Sequence, residues 1–112
     1  SLEVARSLGI KIDRTMICGG GAKSPLWKRL VANIMNVEVD VPISEEGPGF
    51  GAAILAAVGC GEYASVETAA KFIIKIKEKI KPEADLVVKY EARYQKFKRI
   101  YPALKDVFKE IG

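Results

Sequence analysis

Apolar residues recur along this chain in several rhythms, and each rhythm predicts an element. Leu2, Ala5 and Leu8 share one side of a short helix that Gly9 would stop. Residues 10–13 lead into a brief strand over 14–18, where Thr15, Met16 and Ile17 suit a strand covered on both faces. A glycine-rich turn follows, and then a helix over 26–35. Its apolar stripe is Leu26, Trp27, Leu30, Val31, Ile34 and Met35, with Lys28, Arg29 and Asn33 away from it. Asn36 suits the C-cap. Trp27 on this stripe reads as core, with stacking on a base as the alternative. Residues 37–41 alternate apolar and acidic until Pro42, the pattern of a half-exposed strand near a sheet edge. A helix between two strands favours parallel pairing.

The second half begins with a loop over 43–49. Adjacent Glu45 and Glu46 read as solvated there, with a metal or acid/base pair as the alternative. Residues 50–59 form a helix of small residues, expected to be wedged against another element. Glycine in a helix costs about 1 kcal/mol relative to alanine, so Gly51 needs a packing or ligand reason. Gly59-Cys60-Gly61 stops that helix and Ser65 can cap the next, where Val66, Ala69, Ala70, Ile73, Lys77 and Ile80 keep helical spacing. Residues 72–76 could instead be a strand. Beyond Pro82, the residues Val87, Tyr90, Tyr94, Phe97, Tyr101, Leu104, Phe108 and Ile111 form a regular helical stripe. Pro102 should kink or split that helix. The stripe is expected to pack against the domain; a partner-binding or base-stacking face is the alternative.

These elements make an α/β protein with a short sheet and several packed helices. Its 112 residues suffice for one domain with a single core. The longest apolar run, residues 50–60, is too short to cross a membrane, and no signal peptide is expected. Cys18 and Cys60 are too few for a disulfide framework, which points to a reducing cytoplasm. The absence of histidine excludes imidazole catalysis by this chain and leaves a zinc ligand set short. Residues 1–70 carry six Lys/Arg against eight Asp/Glu, and residues 71–112 carry twelve against six. The basic half suggests nucleic acid, but its lysines interleave with the apolar repeat, as on the wet side of a helix. No nucleic-acid or membrane partner is therefore expected.

The chemistry is concentrated in Cys18-Gly19-Gly20-Gly21-Ala22-Lys23-Ser24-Pro25. Glycines permit positive φ and let a ligand approach backbone N–H groups. Ser24 is a good N-cap and Pro25 a good first helical residue. The unpaired N–H groups and positive dipole end of the helix then suit a phosphate or nucleotide. A tight packing turn without a ligand is the alternative. The stretch is neither a G-x-G-x-x-G dinucleotide fingerprint nor a P-loop, so a different nucleotide fold is needed.

Two motifs carry a family resemblance over nearly the whole chain. Gly19-Gly20-Gly21-Ala22-Lys23-Ser24-Pro25-Leu26-Trp27 resembles the adenosine-binding signature of FGGY-type carbohydrate kinases. Gly51-Ala52-Ala53-Ile54-Leu55-Ala56-Ala57-Val58-Gly59 is similar to that family's small-residue helix, and Tyr101-Pro102-Ala103-Leu104-Lys105 to its last helix. The branch acting on xylulose is the most similar. One departure is Gly49-Phe50, where a small residue and a short aliphatic one are expected. The resemblance implies an actin/hexokinase/RNase H-like fold, with residues 1–112 the C-terminal part of the second, nucleotide-binding domain. It implies transfer of the ATP γ-phosphoryl group to a ketose such as xylulose, with ATP and magnesium as cofactors. By the same resemblance, Gly19, Gly20 and Gly21 approach the phosphates and ribose, and Ser24 lies near the adenine. The catalytic aspartate and the sugar contacts belong upstream of Ser1, since none of Asp13, Asp40, Asp85 or Asp106 sits in a matching motif. No catalytic or metal residue is thus assigned here, and the chain is expected to be inactive alone. A non-catalytic interaction module, a homodimer built from it, and a nucleotide-binding subdomain of another actin-like ATPase stay open.

Overall fold

A three-stranded sheet in the order β1-β2-β3 joins the two halves of the chain. The computed structural model describes residues 2–44 and 47–112, so the expectation for Glu45 and Glu46 lies outside the described residues. In chain order the elements are α1 (Leu2–Ser7), β1 (Arg14–Met16), a 3-10 turn (Gly20–Lys23), α2 (Pro25–Met35), β2 (Glu38–Pro42) and α3 (Gly47–Gly59). Then come α4 (Val66–Ile73), β3 (Ile76–Ile80), α5 (Ala84–Phe97) and α6 (Ile100–Ile111). The first half follows the expected helix, strand, turn, helix, strand order. β1 and β2 are parallel, in the register Arg14↔Glu38, Thr15↔Val39 and Met16↔Asp40.

β2 is not at an edge. It is the central strand, pairing antiparallel with β3 through Val39↔Ile80 and Asp40↔Lys79, and its middle residues are buried. The apolar face packs Val37 and Val39 on Ala32 of α2, with Ile12, Ile17, Val31 and Ile80 around them. The acidic face is matched by cations from both neighbours rather than by water. Arg14 Nη2 lies 2.8 Å from Glu38 Oε1, Arg14 Nε 3.5 Å from Asp40 Oδ2, and Lys79 Nζ 3.9 Å from Glu38 Oε1. Alternation of apolar and charged residues therefore marks two different faces here, not one dry and one wet.

Residues 76–80 form the strand β3, so the helical spacing that runs on to Ile80 misleads. Ser65 caps α4 as expected, its side chain accepting from the Thr68 N–H. The helix ends at Ile73 because Ile74 turns extended, at φ −79° and ψ 114°. The backbone beyond it satisfies the second edge of β2.

The buried face of α2 also differs from its apolar stripe. Its buried residues are Lys28, Ala32 and Asn33, whereas Leu26, Trp27, Ile34 and Met35 are exposed. Polar anchors set this rotation of the helix. Lys28 Nζ pairs with Glu78 Oε2, Asn33 Oδ1 accepts the Glu83 N–H at 2.7 Å, and Arg29 Nη2 lies 2.7 Å from Glu83 Oε1. Trp27, expected in the core, is 54% exposed.

The last helical stripe is split into α5 and α6 at Lys98 and Arg99, close before Pro102. Proline lacks the N–H that would bond one turn back. The stripe does not pack against the domain over its second half: Tyr101, Leu104, Phe108 and Ile111 are all exposed. Nor is α3 wedged on all sides, since Gly51, Ala52, Ala53 and Leu55 face outward and Ile54 alone of its described residues is buried. A Cβ added at Gly51 would meet nothing within 4 Å, so no packing reason for that glycine is present in this chain. The single-core expectation changes accordingly. The accessible surface is 8481 Å², against about 6100 Å² for a compact monomer of this mass. The radius of gyration is 18.4 Å, against about 13 Å.

Candidate functional site

The glycine turn sits where β1 ends and α2 begins, at the C-terminal side of the parallel pair. Gly19 adopts φ 78° and ψ −165°, a region in which any Cβ is strained. From there the chain closes a 3-10 turn, with the Ala22 N–H donating to Gly19 O at 3.0 Å and the Ser24 N–H to Gly21 O at 3.2 Å. The N–H groups of Gly20 and Gly21 precede that of Ala22, the first to donate within the turn, as the leading N–H groups of a helix do.

The other expected residues divide by role. A Cβ at Gly20 would meet nothing within 4 Å, so this position is open to an approaching group. At Gly21 an added Cβ would lie 2.6 Å from Trp27 Cδ1, so the exposed indole rests directly on the turn. Ser24 caps α2, its Oγ accepting the Trp27 N–H at 3.2 Å, and Pro25 takes the first helical position. Asn36 closes the same helix in the left-handed conformation, at φ 49° and ψ 58°. Gly47, the first residue of α3, approaches the turn from the other side; an added Cβ there would lie 2.8 Å from Cys18 Sγ.

These elements enclose an open cleft of about 300 Å³. One wall is Ile17, Cys18, Gly19, Ala22 and Lys23, and the other is Val41, Pro42 and Ile43 of β2 and its exit, with Lys77 and Glu78 of β3. Lys28 reaches in from α2. Gly20, Gly21 and Ser24 flank this cleft rather than line it. The volume falls at the lower end of the range of small-molecule sites. Its described lining mixes apolar side chains with Lys23, Lys28, Lys77 and Glu78. The contributions of Lys77 and Glu78 are hidden in the sequence, where helical spacing conceals the strand that carries them. Lys28 is missed because a charged residue on an amphipathic helix reads as solvent-facing.

Residues 2–60 match the model of the FGGY family of carbohydrate kinases, C-terminal domain. The chain belongs to that family. Among curated proteins, the xylulose kinase of Staphylococcus epidermidis is 35% identical over 111 residues, 99% of this chain and 22% of that protein. The autoinducer-2 kinase of Yersinia enterocolitica is 27% identical over 99 residues, 88% of this chain and 19% of that protein. Among solved structures, the xylulose kinase from Rhodospirillum rubrum superposes with a TM-score of 0.78 at 25% identity, covering 96% of this chain and 22% of that one. The fold class is therefore that of the sugar kinases, actin/hexokinase-like. The chain spans about one fifth of the length of the relatives it matches. Apolar residues on α2, α3 and α6 are exposed, among them Leu26, Trp27, Leu55, Tyr101 and Phe108.

None of the described residues lining the cleft is an aspartate. Asp40 is buried beside Arg14, and Asp106 lies on exposed α6, 3.6 Å from Lys109 Nζ. The described lining offers one carboxylate, Glu78, and Lys28 already holds it. Among the described residues no group of three or more His, Cys, Asp or Glu side chains is placed to hold a metal ion. No described helix is long and apolar enough to cross a membrane.

Proposed function

We propose that residues 1–112 are the C-terminal part of the nucleotide-binding domain of a sugar kinase that phosphorylates a ketose such as xylulose. The observation that carries this reading is the positive-φ Gly19 turn opening onto a cleft lined by Lys23, Lys28 and Lys77, in a chain 35% identical to a xylulose kinase. ATP enters as the phosphoryl donor. The Gly20 and Gly21 N–H groups face its phosphates and ribose, Gly19 lets the backbone approach, and Ser24 fixes the start of α2 beside the base. Magnesium, when bound, would offset the negative charge of the phosphates.

In the reaction, a sugar hydroxyl oxygen forms a bond to the γ-phosphorus while the bond to the β-phosphate oxygen breaks. The hydroxyl proton passes to a base that we place upstream of Ser1, as the family resemblance implies; the one described carboxylate lining the cleft, Glu78, is held by Lys28. This chain binds and orients the donor, and alone it does not transfer phosphate. Free Cys18 and Cys60 suit a reducing compartment, the cytoplasm.

Gly20 provides the cleanest test, because a Cβ there meets no atom of the described residues within 4 Å beyond its chain neighbours. Gly20→Val in the intact kinase should weaken binding of magnesium-ATP by about tenfold or more, since it fills the approach to the turn. Sugar binding and the unfolding midpoint should stay as they are. Calorimetry with each ligand separately reads this; equal loss of both ligands, or loss of neither, contradicts the assignment.

A further inference from the structure

Resting on the nucleotide reading of the cleft, we infer that the Lys28–Glu78 pair is a positioning strut that holds β3 as the wall opposite the glycine turn. Lys28 is 8% exposed, the one lysine among the buried described residues. Its Nζ meets Glu78 Oε2, fifty residues away in sequence, and both side chains line the cleft. The backbone on either side links this pair to the binding surface. The Lys28 N–H donates to Ser24 O at 3.1 Å, which places its root one turn into the helix that leaves the glycines. Glu78 pairs with Val41 in the sheet and sits beside Lys77, which also lines the cleft. The width of the cleft between turn and β3 is therefore set by a side-chain bridge from α2.

The exposure of the two partners separates this role from a purely structural one. The Glu78 side chain is 46% exposed, so its carboxylate stays hydrated when Lys28 is removed. Lys28→Met replaces a desolvated cation by an apolar chain of similar length, a change that core packing tolerates. The fold should keep its stability while the wall loses its anchor. A bridge serving stability alone would show the reverse.

The test is calorimetric titration of the intact kinase with magnesium-ADP, beside thermal unfolding without nucleotide. Unsubstituted protein, Lys28→Met, Lys28→Arg and the exchanged pair Lys28→Glu with Glu78→Lys are compared. We expect Lys28→Met to lose about tenfold in ADP affinity, the scale of about one hydrogen bond to the nucleotide, at an unchanged unfolding midpoint. Lys28→Arg should bind as the parent does, and the exchanged pair should recover part of the loss. Undiminished ADP binding by Lys28→Met overturns the inference, as does a loss that tracks a lowered midpoint and that arginine does not rescue. Failure of the unsubstituted protein to bind ADP overturns the nucleotide reading and the strut with it. Normal parental binding with an indifferent Lys28→Met overturns the strut alone.

Discussion

Replacing Gly21 by alanine puts a methyl group 2.6 Å from Trp27 Cδ1 and 2.8 Å from Trp27 Nε1. Ordinary contact begins near 3.4 Å, so the indole must withdraw by about 0.8 Å at least. The backbone of Gly21 is not at positive φ, so the collision alone decides the cost. Trp27 is 54% exposed, so solvent borders about half of it. At roughly 250 Å² for a whole tryptophan, its covered part is about 110 Å². Complete release would then cost about 2.8 kcal/mol at 25 cal/mol/Å². A withdrawal of under an ångström forfeits a fraction of that, and we expect about 1 kcal/mol. Trp27 is the one tryptophan of the chain, so its emission reports the event directly. Gly21→Ala should shift the emission to the red and raise quenching by iodide, while Gly20→Ala, with open space at its Cβ, should leave both unchanged. If Gly21→Ala and the parent have the same emission and the same unfolding midpoint, the packing of Trp27 on the turn is wrong.

Other expectations follow from the same geometry. Gly19→Ala meets no atom within 4 Å, yet φ 78° with ψ −165° should cost about 1–3 kcal/mol in denaturant unfolding, from backbone strain alone. Ser24→Ala removes the cap on the Trp27 N–H and should destabilise by about 1 kcal/mol; Ser24→Asp, which can cap again, should restore most of it. The join of α1 to α5 should depend on pH at both ends of the scale. The Lys98 ammonium and the Tyr94 hydroxyl, both bonded to its carboxylate, hold Glu3 below the ordinary 4.5. Stability from Glu3 is therefore present above 4.5 and lost as pH falls through its lowered value. The bond to Glu3 raises Tyr94 above 10.0 and Lys98 above 10.5, so their share is present below those values and lost as pH rises through the raised ones. Hydrogen exchange of α1 amides should quicken in acid beyond the intrinsic trend, and Glu3→Gln should abolish that excess.

What could be read in advance was local. Ser24, Pro25 and Asn36 bracket α2 because capping depends on side-chain chemistry within one turn of the helix end. Parallel pairing of β1 with β2 followed from a short crossover with few alternatives. Ser65 marked the start of α4 on the same grounds. The Gly19 turn was equally legible, because positive φ selects for glycine whatever surrounds it.

Sequence by itself therefore determined the caps of α2, the start of α4, the glycine turn and the family. Tertiary structure alone decided which faces are buried and which strands are neighbours. Glu38 and Asp40 look solvent-bound until Arg14 and Lys79 flank them from adjacent strands, which makes β2 central. Residues 76–80 carry a helical spacing but become a strand because β2 has an unpaired edge to fill. Lys28 goes inward and Trp27 outward on one helix, because Glu78 and Glu83 anchor the polar side from elements fifty residues away. Caps and turns are settled by neighbours in sequence, whereas burial is settled by partners that only folding brings together.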